Sequence, residues 1–335
     1  MQNEILEHYI DPALSCAENP FELRPGFISY KETFFPLGFP LQIRTNSEKV
    51  LDAARQSWGC FRKLHSDAPL LITLIVDESL RSSLPPIPTS RIERHLLTIL
   101  ADAANFIVSD LNKGQAWGQV SSALLQSLQH LRYYFLEAAA LSMIATLRAV
   151  ALHAACVAWR GRGILLCGES GAGKSSLAFA CARSGWDYIS DDASYLLLKD
   201  YGRTAIGNSH HIRFRDSAPQ LFPELVGRSI TQRVAGKPSI EVPTSELPGI
   251  TRADSARIDY IVFLNRDSQL SPAFLLLPVE NARNYFHRFL LMPPNRCSPV
   301  VGALERLLRV PQFELNYTNL DCGVEQMQQL IEEAL

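Results

Sequence analysis

Lys174 and Ser175 follow a run of closely spaced glycines, Gly168-Glu169-Ser170-Gly171-Ala172-Gly173, and complete the pattern G-x-x-x-x-G-K-[ST]. Glycines let the backbone curl so that successive N–H groups point inward at phosphate oxygens. A helix that starts there adds its positive end to the same anion site. In such a loop the lysine bridges the β- and γ-phosphates and the hydroxyl behind it ligates Mg²⁺. The expected contacts to a nucleoside triphosphate are therefore Gly168, Glu169, Ser170, Gly171, Ala172, Gly173, Lys174, Ser175 and Ser176, with Ser175 also serving the metal. A glycine-rich turn with no ligand has no need of Lys and Ser at these positions.

Asp191 and Asp192 end the segment WDYISDD, directly after the loop's own helix. Many nucleotide hydrolases place the metal-site aspartate on a strand far downstream. Because successive strand side chains diverge, one of the two aspartates can lie near the metal while its neighbour points elsewhere. A carboxylate at this place can hold an acceptor hydroxyl for in-line attack on a γ-phosphate and take its proton. The plainer alternative is a turn or helix cap, a common use of a single aspartate. Upstream, His153 heads the segment HAACVAW; a histidine there can assist proton transfer or hold an aspartate, or sit as a satisfied core residue.

These groups need scaffolding, and the local patterns supply it. HAACVAW and GILLCG read as strands joined by the tight turn RGRG, an antiparallel hairpin that carries His153 to the end of the sheet where the glycine loop begins. KSSLAFACARS reads as a helix stopped by Gly185. WDYISDD is a short strand, ASYLLLKDYGRTAIG a strand and turn, IDYIVFLNRD a buried strand and VEQMQQLIEEAL a terminal amphipathic helix. In the first half, FPLQIRTN and APLLITLIVD read as strands and SEKVLDAARQSWG as a helix capped by Ser or Asn. SLPPIPTSR reads as a loop, and a long helical pattern runs from Gln126 to about Leu152. The change of rhythm places a domain boundary near residue 148.

Taken together, these motifs resemble the HPr kinase/phosphorylase family, whose nucleotide domain is related to phosphoenolpyruvate carboxykinase. The resemblance rests on Leu152-His153-Ala154-Ala155, on Gly161-Arg162-Gly163, on the loop GESGAGKSS and on the stretch from Gly185 to the Asp191-Asp192 end, with similar spacing. It covers residues 150–200 and fades toward 270. It implies an α/β fold, with a P-loop kinase domain of the HPr kinase type on a mixed β-sheet at residues 149–335, behind a smaller N-terminal α+β domain at 1–148. It implies transfer of a phosphoryl group from ATP, with Mg²⁺, to a serine-type hydroxyl. On this resemblance Asp191 is the proton acceptor assisted by His153, Lys174 completes the catalytic set, and Asp192 and Ser175 serve the metal.

The sequence also departs from the family. Glu169 stands where the family commonly has Asp, and Ser176 where it has Glu. The Arg-Gly-Leu-Gly-type segment has no counterpart, and the first half does not resemble the regulatory domain. These departures point away from HPr and toward divergent relatives found beside peptide-modifying enzymes, which phosphorylate a serine of a precursor peptide. Other relatives act on small hydroxyl compounds, so a protein, a peptide and a small molecule all stay open as acceptor, and residues 1–148 are expected to recognise the acceptor or a partner.

Further cations, His210, His211, Arg213 and Arg215 in HHIRFRD and Lys237 in AGKPSIEV, either neutralise the transferring phosphoryl or sit on a solvated face. Leu264-Asn265-Arg266-Asp267-Ser268 misses the guanine-reading pattern, and no ABC-type signature is present. A non-catalytic ATP-binding sensor is the rival from another class.

The bulk properties narrow the partners. The chain has 335 residues, 47% hydrophobic and 20% charged, with a net charge of -2, which leaves no electrostatic footprint for nucleic acid or an anionic membrane. Seven cysteines without a CxxC pair, three of them inside apolar runs, suggest a reducing cytoplasm. MQNEILEHYIDPAL lacks the basic start of a secretion signal. The greasy stretch from Leu136 to Trp159 is broken by Glu137, Arg148 and His153, and reads as core helix and strand rather than a membrane span. The sequence is compatible with a homo-oligomer.

Overall fold

The apolar pattern that begins near Gln126 is helical only from 128 to 147; Arg148 leaves the helical region, and Ala149–Leu152 forms a strand paired with Ser194–Leu197. Alanine, valine and leucine suit a buried helix and a buried strand alike, so only the sheet partner decides between them. The computed structural model describes residues 28–79, 84–199, 202–231, 238–267, 271–290 and 298–333. Within them the chain is a mixed α/β protein.

The first half builds a seven-stranded mixed sheet in the order Tyr30–Phe34, Leu41–Thr45, Leu70–Asp77, Gln115–Ser121, Asn105–Asp110, Leu96–Asp102 and Thr89–Glu93. The last of these falls inside SLPPIPTSR and beyond it, so the proline-rich loop is shorter than the sequence pattern suggests; Thr89, Ser90 and Arg91 pair antiparallel with Leu100, Ile99 and Thr98. Leu41, Ile43, Ile72 and Leu74 point into a core closed by helix Glu48–Trp58 and by the 128–147 helix through Phe135, Met143 and Ile144.

The second sheet runs Thr251–Arg252, Asp187–Ser190, Ala155–Trp159, Arg162–Cys167, Ser255–Arg266, Thr204–Gly207, Ser194–Leu197 and Ala149–Leu152. The long strand Ser255–Arg266 also carries Gln312–Tyr317 at its far end, and Ala273–Leu276 lies outside that. Helices cover both faces: Lys174–Arg183 and Leu320–Glu332 on one, Val279–Arg288 and Ser298–Leu307 on the other. This layering buries a sheet that is apolar on both sides. Cys156, Cys167 and Cys181 are buried free thiols, and Cys16 and Cys297 lie outside the described residues. No helix among the described residues is long and apolar enough to cross a membrane.

The two halves share structure. Tyr195 and Ile206 of the second sheet enter the core of the first. A half-buried ion network joins them as well, and a π-helical stretch, Leu131–Glu137, shapes it. The i, i+5 repeat of a π turn brings Arg132 over Glu137, 3.5 Å from guanidinium to carboxylate. Glu137 also faces Arg213 at 3.6 Å, and Arg213 meets Glu241 at 3.2 Å, which in turn accepts from the Tyr133 hydroxyl at 2.5 Å. Burial opposes the Arg213 charge, but Glu241, Glu137 and Asp191 outweigh it and hold its pKa above the ordinary value. Glu137→Gln is expected to cost about 2 kcal/mol of stability, because Arg132 and Arg213 lose one charged acceptor and keep only Glu241; urea unfolding measures this.

Candidate active site

The glycine loop leaves strand Arg162–Cys167 and enters helix Lys174–Arg183 with positive φ at Gly168 (+147°), Gly171 (+99°) and Gly173 (+98°). A Cβ on Gly168 would stand 2.8 Å from that of Ala172, so the first glycine is dictated by contact as well as by φ. Gly173 is the N-cap and carries no capping side chain, which leaves the first helical N–H groups to an anion.

Lys174 is 5% exposed. Its ammonium donates to the carbonyls of Gly168 (2.8 Å) and Glu169 (3.3 Å), so the lysine lies across its own loop. It also lies 3.1 Å from Nε2 of His153 and 3.9 Å from Oδ1 of Asp192. Burial lowers the Lys174 pKa, and Asp192 works against that effect. Since the ammonium can only donate, Nε2 of His153 accepts and the ring proton sits on Nδ1, which faces Asp192 Oδ1 at 3.5 Å. Burial, with a smaller contribution from the neighbouring ammonium, lowers the His153 pKa against the pull of Asp192.

His153 occupies the bend between strands Ala149–Leu152 and Ala155–Trp159 rather than the head of the second one. The RGRG turn is tight as read, with positive φ at Arg160 (+51°) and Gly161 (+79°), and the hairpin is antiparallel. The two aspartates do diverge. Asp191 is buried and accepts from the Arg213 backbone N–H at 2.7 Å through Oδ2, while its carbonyl accepts from the Ser175 hydroxyl at 3.2 Å. Asp192 has a side chain 60% exposed and turns toward His153 and Lys174.

Tyr285, on helix Val279–Arg288, carries no motif signal yet holds the site together. Its hydroxyl lies 2.7 Å from the His153 carbonyl and 2.8 Å from that of Gly168, and accepts from the Gly168 N–H at 3.2 Å. Phe289 packs on the His153 ring at 4.6 Å between centroids. Arg288 pairs with Glu169 at 2.7 Å, and Arg215 donates to the Ser170 hydroxyl at 2.6 Å. Tyr285 is separated from Gly168 by 117 residues, so only the packed helix reveals it.

Of the other cations, Arg213 is committed to the half-buried network and Arg215 reaches the loop. His210 and His211 line a separate hollow with Arg252, and Lys237 lies outside the described residues. A cleft of about 670 Å³ is bordered by His153, Ser170, Gly171, Gly173, Lys174, Ser175, Ser176, Asp191 and Asp192. Glu169 is on the exposed side of the loop and Ala172 is half-buried beneath it. Among the described residues no three His, Cys, Asp or Glu side chains form a metal cage. The oxygens of Ser175 and Asp192 nevertheless suit Mg²⁺, which typically takes one or two protein oxygens and completes its shell with phosphate and water.

No family profile matches the sequence, and no curated protein matches it. Among solved structures, the HPr(Ser) kinase/phosphatase from Coxiella burnetii is similar at 13% identity over 55% of this chain and 98% of that chain, with a TM-score of 0.30. A similarity that loose carries no functional weight.

Proposed function

We propose that the chain is an ATP-dependent kinase that transfers the γ-phosphoryl group to a serine-type hydroxyl of a peptide or protein, with residues 149–335 binding the nucleotide and 1–148 facing the acceptor. The observation that carries this is that Lys174, His153 and Asp192 meet beside the glycine loop while Asp191 lines the same cleft. A loop that only binds the nucleotide does not call for an imidazole bridging its lysine and a carboxylate.

In the proposed reaction the loop N–H groups, Lys174 and the helix N-terminus hold the phosphates. Mg²⁺, held by Ser175 and Asp192, would neutralise charge on the β- and γ-oxygens. The acceptor oxygen forms its bond to the γ-phosphorus as the bond to the bridging oxygen breaks. ADP leaves, and the hydroxyl proton passes to Asp191. His153 keeps Lys174 and Asp192 in register through its two ring nitrogens.

Incubation with labelled ATP, Mg²⁺ and candidate peptides or metabolites encoded nearby in the genome, read by mass spectrometry, tests the proposal. A gain of one phosphate on a hydroxyl supports it; tight ATP binding with no transfer to any candidate overturns it in favour of a sensor.

The histidine sets a pH dependence. Its folded pKa lies below the ordinary 6.5, so at neutral pH it is neutral and accepts from Lys174. A second proton, taken up below 6.5, removes that acceptor. Transfer is expected to fall on the acid side with a midpoint under 6.5, and His153→Gln is expected to lose that limb in a kcat/KM profile. Stability follows the same sign, since the unfolded chain binds the proton first and the folded form loses ground as pH drops through 6.5.

A further inference from the structure

The first half of the chain also lines the cleft: Phe61 and Leu141, both half-buried, present aromatic and hydrocarbon surface to it, and Leu37 and Trp58 border it while almost fully buried in the first-half core. Leu37 does so at φ +52°, a left-handed conformation that leucine seldom adopts. Trp58 ends helix Glu48–Trp58, Phe61 follows just beyond Gly59, and Leu141 projects from Ala138–Leu147, so three separate segments contribute to one surface.

The polar groups beside them are already engaged. Ser57 donates to Glu137 at 2.9 Å and accepts from Arg132 at 3.0 Å, while Glu137 also faces Arg132 and Arg213. A sugar or polyol seated here would surrender water from several hydroxyls against apolar side chains, at a cost of a few kcal/mol for each one left unpaired. An apolar side chain gains on the same surface. Leu221, 41% exposed, also lines the cleft, together with Arg215 and Arg266.

We propose that the acceptor is a peptide segment whose serine or threonine hydroxyl is flanked by an apolar side chain, and that this neighbour seats against Phe61 and Leu141. The assignment rests on the kinase reading for the identity of the hydroxyl, but the seat itself is a binding claim and is tested as one.

The full chain with Mg²⁺ and ADP is titrated with a short labelled peptide carrying serine beside phenylalanine, with the same peptide carrying alanine instead, with free serine and with glycerol. The phenylalanine peptide is expected to bind about 10-fold or more tighter than the alanine peptide, in line with burial of one aromatic ring. Phe61→Ala and, separately, Leu141→Ala are expected to reduce that preference to about 2-fold, with ADP affinity and the unfolding midpoint read alongside as controls of the fold. Equal affinity for the two peptides, or free serine or glycerol binding as tightly as the phenylalanine peptide, overturns the proposal. So does a preference that survives both variants. Transfer from ATP, measured in parallel, separates the two ideas: preference without transfer defeats the kinase and keeps the seat, and transfer without preference does the reverse.

Discussion

Lys174→Ala is expected to lower both ATP affinity and phosphoryl transfer by a factor on the order of 10²–10³, the usual consequence of removing one preorganised charged donor from developing phosphate charge. The side chain is almost fully buried and spans the loop, donating to two of its carbonyls. Its ammonium is also the partner that selects the His153 tautomer. One truncation thus removes the proposed phosphate ligand, loosens the loop and frees the imidazole. Calorimetric titration with ATP and a labelled-transfer assay measure the two losses. Undiminished activity would mean that the phosphates bind elsewhere.

Asp191→Asn is expected to leave nucleotide affinity within a few-fold and to reduce transfer by a factor on the order of 10²–10⁴, the range of a lost general base. Asparagine keeps a carbonyl oxygen for the Arg213 N–H, so the local backbone should survive the change. Asp192→Asn supplies the contrast. That carboxylate is exposed and sits beside Lys174 and His153, and its loss is expected to raise the Mg²⁺ concentration needed for half-maximal transfer. Near wild-type transfer in Asp191→Asn, with the large rate loss found in Asp192→Asn instead, would exchange the two roles. The comparison is informative because the structure separates the pair: Asp191 is bound to backbone and buried, and Asp192 turns to the lysine.

The parts of the site that were legible from sequence are those governed by neighbours in the chain. Gly168, Gly171 and Gly173 announce positive φ, Gly185 stops the loop helix at φ +89°, and RGRG turns a hairpin whose strands pair as their apolar runs suggest. His153 could be placed at the loop's end of the sheet from that hairpin alone, although its position in a bend between two strands could not. The long helix was overread into Ala149–Leu152 because burial on all sides erases the periodicity that separates helix from strand.

Composition, the glycine loop and the Asp-Asp end determined by themselves that phosphate chemistry is the reading to pursue, since local sterics and short-range hydrogen bonds act between residues close in the chain. Only the tertiary structure decided that Tyr285 ties His153 to Gly168, that Arg213 belongs to an ion network rather than to the loop, and that the first half lines the same cleft as the loop. Those contacts join residues far apart in the chain, and they exist because two sheets pack through a shared core, a choice made by the whole set of apolar faces at once.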